Sequence, residues 1–166
     1  HAQHLHPIDV PRFARLGVIA SMQGVHASSD GPWVPKRLGE PRAGERTYVW
    51  RSLIDSGALV SNGTDVPVED IDPLASFRAS VTREMVNGQR FHPEQNMTRQ
   101  EALASYTWNN AYAGFEEDLK GSLAPGKLAD FVVLDRDILR VPDAELASAQ
   151  VLHTVLAGRV VYSRAP

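Results

Sequence analysis

Apolar positions along the chain come in short bursts, some at helical spacing and some contiguous, and the two kinds alternate. Val10, Phe13, Ala14 and Leu16 recur at helical intervals after Asp9, and Gly17 stands where a helix can end in the left-handed conformation. The contiguous run Val18–Met22 then predicts a short buried strand. From Gln23 to Glu45 the pattern dissolves into Gly, Pro, Ser, Asp and charged residues, which predicts a long irregular loop of the kind that often carries function. A second helix is expected over Arg46–Ser56, with Tyr48, Leu53 and Ile54 apolar and Gly57 as its stop, followed by a strand over Ala58–Ser61. The order strand, helix, strand predicts that the two strands are parallel neighbours with that helix as their crossover. The second strand runs into Asn62-Gly63-Thr64-Asp65-Val66-Pro67, a polar turn at the strand's carboxyl end, where α/β proteins place their chemistry.

Further along, Asp72-Pro73 pairs an N-cap with a proline at the first helical position and starts a helix through about Glu84. Its Leu74, Phe77, Val81 and Met85 stripe reads as core packing. Thr98-Arg99-Gln100-Glu101 has the capping-box pattern, and the helix it opens continues through Ala102, Leu103, Tyr106 and Thr107. The character then changes. Gly121, Pro125 and Gly126 bracket short segments, Ala129–Leu134 has the β-branched content of a strand, and Val151–Leu156 with Val160–Tyr162 reads as a hairpin around Gly158. Three strands without long intervening helices make a separate β element.

Composition narrows the chemistry. The 166 residues amount to one domain or a piece of a larger one, and 43% apolar with 22% charged side chains suits a packed core. A net charge of −3 gives no electrostatic reason to expect nucleic acid or an anionic membrane as partner. No apolar run approaches the ~20 residues that span a bilayer, and no signal peptide is visible, so a cytoplasmic location is favoured. With no cysteine, any metal must be held by His and carboxylate.

Six histidines are available: His1, His4, His6, His26, His92 and His153. His4 and His6 could share one strand face, but Pro7 follows at once, and solvated loop histidines are the plainer reading. His153 alternates with apolar residues and reads as structural, and His92 as a surface residue. Asp65 is more informative, because a carboxylate just past a buried strand can bind a metal and accept a proton from its water. From the local pattern alone, an Asx-turn or a helix cap is the plainer reading. His26 and Asp30, in the loop after the earlier strand, carry the same ambiguity, whereas Asp130 lies in a strand context far from the other strand ends.

The run Gly121-Ser122-Leu123-Ala124-Pro125-Gly126-Lys127-Leu128-Ala129-Asp130-Phe131-Val132-Val133-Leu134-Asp135 resembles the C-terminal signature of the amidohydrolase superfamily. Thr107-Trp108-Asn109-Asn110-Ala111 is similar to the Thr-x-Asn-Pro-Ala helix of these enzymes, with Asn110 in place of the proline. His1-Ala2-Gln3, Ala20-Ser21-Met22-Gln23 with His26, and Asn62–Pro67 follow in the order of the amidohydrolase 3 (YtcJ-like) branch. Gly24 departs from that pattern, which has proline after the glutamine.

The resemblance implies a (β/α)₈ barrel carrying a small β-sandwich built from both ends of the chain. In that scheme His1 ends barrel strand six, Val18–Met22 and Ala58–Ser61 are strands seven and eight, residues 1–120 are the barrel part and 121–166 the sandwich part. A whole barrel takes roughly 250 residues, so the chain is expected to be the C-terminal part of a larger hydrolase, inactive alone and partnered by the missing N-terminal portion. The implied cofactor is a divalent metal, zinc first, as one or two ions, with His1 and Asp65 among its ligands. Asp65 would be the catalytic acid–base, His26 would sit near the substrate oxygen, and the substrate would be a small amide-type molecule. A non-catalytic binding or assembly module derived from the same fold is the alternative. Ile19, Leu59 and Val60 are expected to be left exposed at the cut barrel edge, favouring self-association.

Overall fold

The computed structural model describes residues 1–165, a mixed α/β arrangement with two separate sheets. A short 3₁₀ turn at Pro7–Asp9 leads into α1 (Val10–Leu16), which Gly17 terminates at φ 66 with its N–H returned to the Ala14 carbonyl. β1 (Ala20–Gln23) follows. The predicted loop after it is instead three short helices, α2 (His26–Asp30), α3 (Val34–Leu38) and α4 (Glu40–Arg46). Each is only five to seven residues long, too short to persist by itself. They form because Ala27, Val34 and Ala43 are buried in the core, while Pro35 and Pro41 favour helix starts.

The second predicted helix also begins later than expected. Arg46 ends α4, Thr47–Val49 is extended or strained backbone, and α5 occupies Trp50–Asp55. β2 (Val60–Gly63) then pairs with β1 in parallel, in the register Ala20↔Val60 through Gln23↔Gly63. The parallel relation is as the element order predicts, with several helices rather than one in the crossover. Val60 is buried at 2% exposure, and Ile19 and Leu59 are half-buried, so the two strands do not leave the apolar face expected of a cut edge. Packing by the neighbouring helices covers it.

On the edge of β2 away from β1, side chains stand in for a strand. Asn109 Nδ2 donates to the Val60 carbonyl at 2.8 Å, and Asn110 exchanges bonds with the Asn62 backbone, donating to its carbonyl at 2.9 Å and accepting from its N–H at 3.3 Å. Both asparagines belong to α8 (Trp108–Ala113), which a break at Thr107 separates from α7 (Arg99–Tyr106). α6 (Pro73–Thr82) starts with the Asp72 side chain accepting from the Leu74 N–H, and α7 with a complete Thr98–Glu101 capping box, both as the sequence predicts. α6 ends one to two residues early, at Thr82, because Arg83 turns left-handed at φ 57.

Arg83 is fully buried. Its Nε donates to the Phe91 carbonyl at 2.7 Å and its Nη1 to the Tyr48 carbonyl at 2.9 Å, and the guanidinium lies 4.5 Å from the Trp50 ring centre. Burial lowers its pKa to about 9. The second sheet is antiparallel, in the order β3 (Phe131–Leu134), β4 (Val151–Leu156), β5 (Arg159–Ser163), with a short helix α9 (Asp143–Leu146) before β4. Ala157-Gly158 makes the β4–β5 turn, and Asp130 accepts from the Ala157 N–H at 2.7 Å, a structural task.

Candidate metal centre

Because β1 and β2 run parallel in matched register, the segments leaving their carboxyl ends emerge side by side. His26 lies three residues past β1, as the first residue of α2, and Asp65 lies two residues past β2. His1 arrives from a third direction. Its segment is pinned by an antiparallel bridge between His4 and Thr47, by Leu5 N–H to the Arg46 carbonyl at 2.8 Å, and by Tyr48 N–H to the Gln3 carbonyl at 2.9 Å. The His1 ring contacts Gln23 Oε1 at 2.7 Å, which seats it over the end of β1.

The three side chains converge. His1 Nδ1 is 3.6 Å and His26 Nε2 is 3.9 Å from Asp65 Oδ2, and the imidazole centres are 5.9 Å apart. One ligand atom from each of the three lies within 4.8 Å of the others. His26 is buried at 7% exposure, and its Nε2 has no hydrogen-bond partner among the described residues. A buried polar nitrogen without a partner is costly, and two imidazoles with a carboxylate are the donor types that hold a divalent ion such as zinc. The donor set therefore fits a metal.

Local backbone serves this placement. Asp65 sits at φ 60, a left-handed conformation that Asp adopts more readily than most residues, and its carbonyl accepts from the Val68 N–H at 2.8 Å. Gly63, two residues before it, is held by the Tyr106 hydroxyl at 3.0 Å and the Ser76 hydroxyl at 3.3 Å through its carbonyl. Burial raises the Tyr106 pKa to about 12, so the phenol remains a donor. Gly24 is explained too. Its N–H donates to Asn62 Oδ1 at 2.8 Å, and a Cβ there would meet Ser80 Oγ at 2.1 Å, so neither proline nor alanine fits without rearrangement.

The sequence model of the amidohydrolase family matches residues 1–162. The chain belongs to the amidohydrolase family. It is 39% identical over 98% of its length to the protein LONG AFTER FAR-RED 3 of Arabidopsis thaliana, and 33% identical over 99% of its length to the protein YtcJ of Bacillus subtilis (strain 168). An N-substituted formamide deformylase of Arthrobacter pascens is 35% identical over 76% of the chain and is matched over 23% of its own length. Among solved structures, a metal-dependent hydrolase of Pyrococcus horikoshii OT3 superposes with a TM-score of 0.76 at 30% identity, over 87% of this chain and 29% of that one. The chain spans 28% and 31% of the lengths of the Arabidopsis and Bacillus relatives.

The other sequence candidates lie apart from the trio. His4 contacts the Thr47 hydroxyl at 3.1 Å, His6 accepts from the Ile8 N–H, His92 pairs with Glu94 at 3.1 Å, and His153 contacts the Ser163 hydroxyl at 3.0 Å. A groove of about 850 Å³ between α7, α8 and β3 is lined by Tyr106, Asn110, Phe131 and Ile138 but by none of the trio. It is largely apolar, and among the described residues the metal-ligating set found is the trio at the strand ends. In the sequence Asp30 is ambiguous and Tyr48 has no role beyond packing. Asp30 Oδ2 accepts from the Tyr48 hydroxyl at 2.5 Å and from Gln3 Nε2 at 3.0 Å.

Proposed function

We propose that this chain is the C-terminal portion of a metal-dependent amidohydrolase that cleaves the C–N bond of a small amide-type molecule, and that it is inactive without the rest of the protein. Residues 1–120 would carry barrel strands six to eight, and 121–166 part of the β-sandwich. The observation that carries the reading is the convergence of His1, His26 and Asp65 at the carboxyl ends of two parallel strands. The deformylase relative supports a C–N bond as target, and the chain's short span of its relatives supports the need for a further portion.

In this reading His1 and Asp65 hold the metal, one or two ions with zinc the first candidate. A divalent ion there supplies positive charge that lowers the pKa of water and polarises a carbonyl. Asp65 accepts the proton given up as water oxygen attacks the carbonyl carbon, and returns it to the leaving nitrogen. His26, holding a proton at Nε2, donates to the carbonyl oxygen, which gives the buried nitrogen its partner. A second reading of His26 comes from the same orphaned nitrogen: as a third ligand it would complete the three-protein-ligand set usual for catalytic zinc.

The test uses the intact protein and a panel of N-formyl and N-acyl amines. Stripping metal with a chelator should abolish turnover, and adding zinc back should restore it. Full turnover by metal-free protein, or none under any metal loading, would reject the reading, and the latter would favour a non-catalytic module.

A further inference from the structure

We propose that Tyr48 and Asp30 are positioning residues that set the separation of His1 and His26, and hence the metal affinity of the cluster. The proposal rests on the second reading of His26 above, as a third metal ligand, and adds to it a set of residues that touch neither metal nor substrate.

The device follows from the weakness of α2. It has five residues, with His26 first and Asp30 last, so the two side chains stand one turn apart on the same helix face. No side chain caps its N-terminus, and a helix of this length takes its orientation from tertiary bonds. At its start the Val25 N–H donates to Ser76 Oγ at 3.0 Å, and in its middle the Ser28 carbonyl accepts from the Val86 N–H at 3.2 Å and the Ser29 hydroxyl donates to Glu69. At its end Asp30 Oδ2 receives the Tyr48 hydroxyl and the Gln3 amide, the bonds that tie α2 to the segment bearing His1.

Gln3 is two residues from His1. Its Nε2 also reaches the Tyr48 hydroxyl at 2.5 Å, and its carbonyl accepts the Tyr48 N–H. One tyrosine therefore grips both carriers: the segment bearing His1 through Gln3, and the helix bearing His26 through Asp30. The tyrosine itself cannot shift easily. It is 2% exposed, strained at φ 53, packed edge-on against Trp50 and Phe91, and its carbonyl is held by the buried Arg83. Burial first, and then the bond to Asp30, raise the phenol pKa above its ordinary value, so the hydroxyl stays a donor.

Outer partners of this kind typically change metal affinity about 10–100-fold when lost. Zinc affinity is measured on the intact protein by competition with a chromogenic chelator, with the visible absorption of the cobalt-substituted form as a spectroscopic check. Tyr48→Phe keeps the ring packing and removes only the hydroxyl. It should weaken zinc by about 10–100-fold and alter the cobalt spectrum while the thermal midpoint moves little. Asp30→Asn keeps an acceptor oxygen and should retain more affinity than Asp30→Ala. Wild-type zinc affinity and an unchanged cobalt spectrum in both Tyr48→Phe and Asp30→Ala would overturn the clamp. Asp65→Ala separates the two failures. If it abolishes zinc binding while the clamp variants do not, only the clamp is wrong; if it too leaves affinity intact, the metal reading falls and the clamp with it.

Discussion

His26 Nε2 stands 3.9 Å from Asp65 Oδ2, although the two residues leave different strands and are separated by four helices and a strand in sequence. Parallel pairing in register is the cause, since it delivers the ends of β1 and β2 to the same edge. The buried, unpartnered Nε2 makes His26 the residue whose role a single variant decides. His26→Gln in the intact protein decides between its two readings. Kept metal content with kcat/KM lowered by about 100-fold, the order expected when a group serving the transition state is lost, makes it a substrate-binding group and removes the basis of the Tyr48–Asp30 clamp. Loss of metal, measured by elemental analysis of the purified variant, would assign His26 to the ligand set instead.

Gly24 predicts a cost of restoring the family pattern. Gly24→Pro removes the N–H that Asn62 accepts, and both proline and alanine place a Cβ against Ser80 and the Ser76 carbonyl. Overpacking and a lost buried bond each cost about 1–3 kcal/mol. Denaturant unfolding should show both variants destabilised by at least about 1 kcal/mol on that basis. A more stable Gly24→Pro variant would mean that the packing around Asn62 is misjudged.

Glu101 predicts an acid limb to stability. Hydrogen bonds from the Arg51 guanidinium, and after them the Thr98 bonds of the capping box, hold its pKa down from 4.5 to about 2. A depressed carboxylate stabilises the fold above its unfolded pKa, and that contribution fades as pH falls through the folded value. The gap in thermal midpoint between wild type and Glu101→Gln should be full at neutral pH and close between pH 4.5 and about 2. A gap that stays constant down to pH 2 would contradict it.

Much of this architecture is legible in the sequence where a local signal and a tertiary role coincide. The Thr98–Glu101 box, the Asp72-Pro73 start and the Gly158 hairpin are such cases, because the residues that cap or turn the chain do so by themselves. The helices α2 to α4 are not legible, since their stability comes from burying Ala27, Val34 and Ala43 rather than from propensity or period. Arg83 is wholly buried, held by the carbonyl and ring of Phe91 and by the Tyr48 carbonyl and Trp50 ring, which lie more than 30 residues away in sequence. At the site, motif order picks out His1, His26 and Asp65, but the Gln3–Asp30–Tyr48 bonds join three stretches that no local pattern links.

In the proposed reaction Asp65 moves the proton. Asp65→Asn is the sharpest probe, because asparagine tolerates the left-handed backbone at φ 60 and matches the side chain in size, yet its amide cannot accept the water proton. Steady-state turnover of an N-acyl amine by the zinc-loaded intact protein should fall by about 10²–10⁴-fold in Asp65→Asn, with the unfolding midpoint close to wild type. Turnover within a few-fold of wild type would contradict the role given to Asp65.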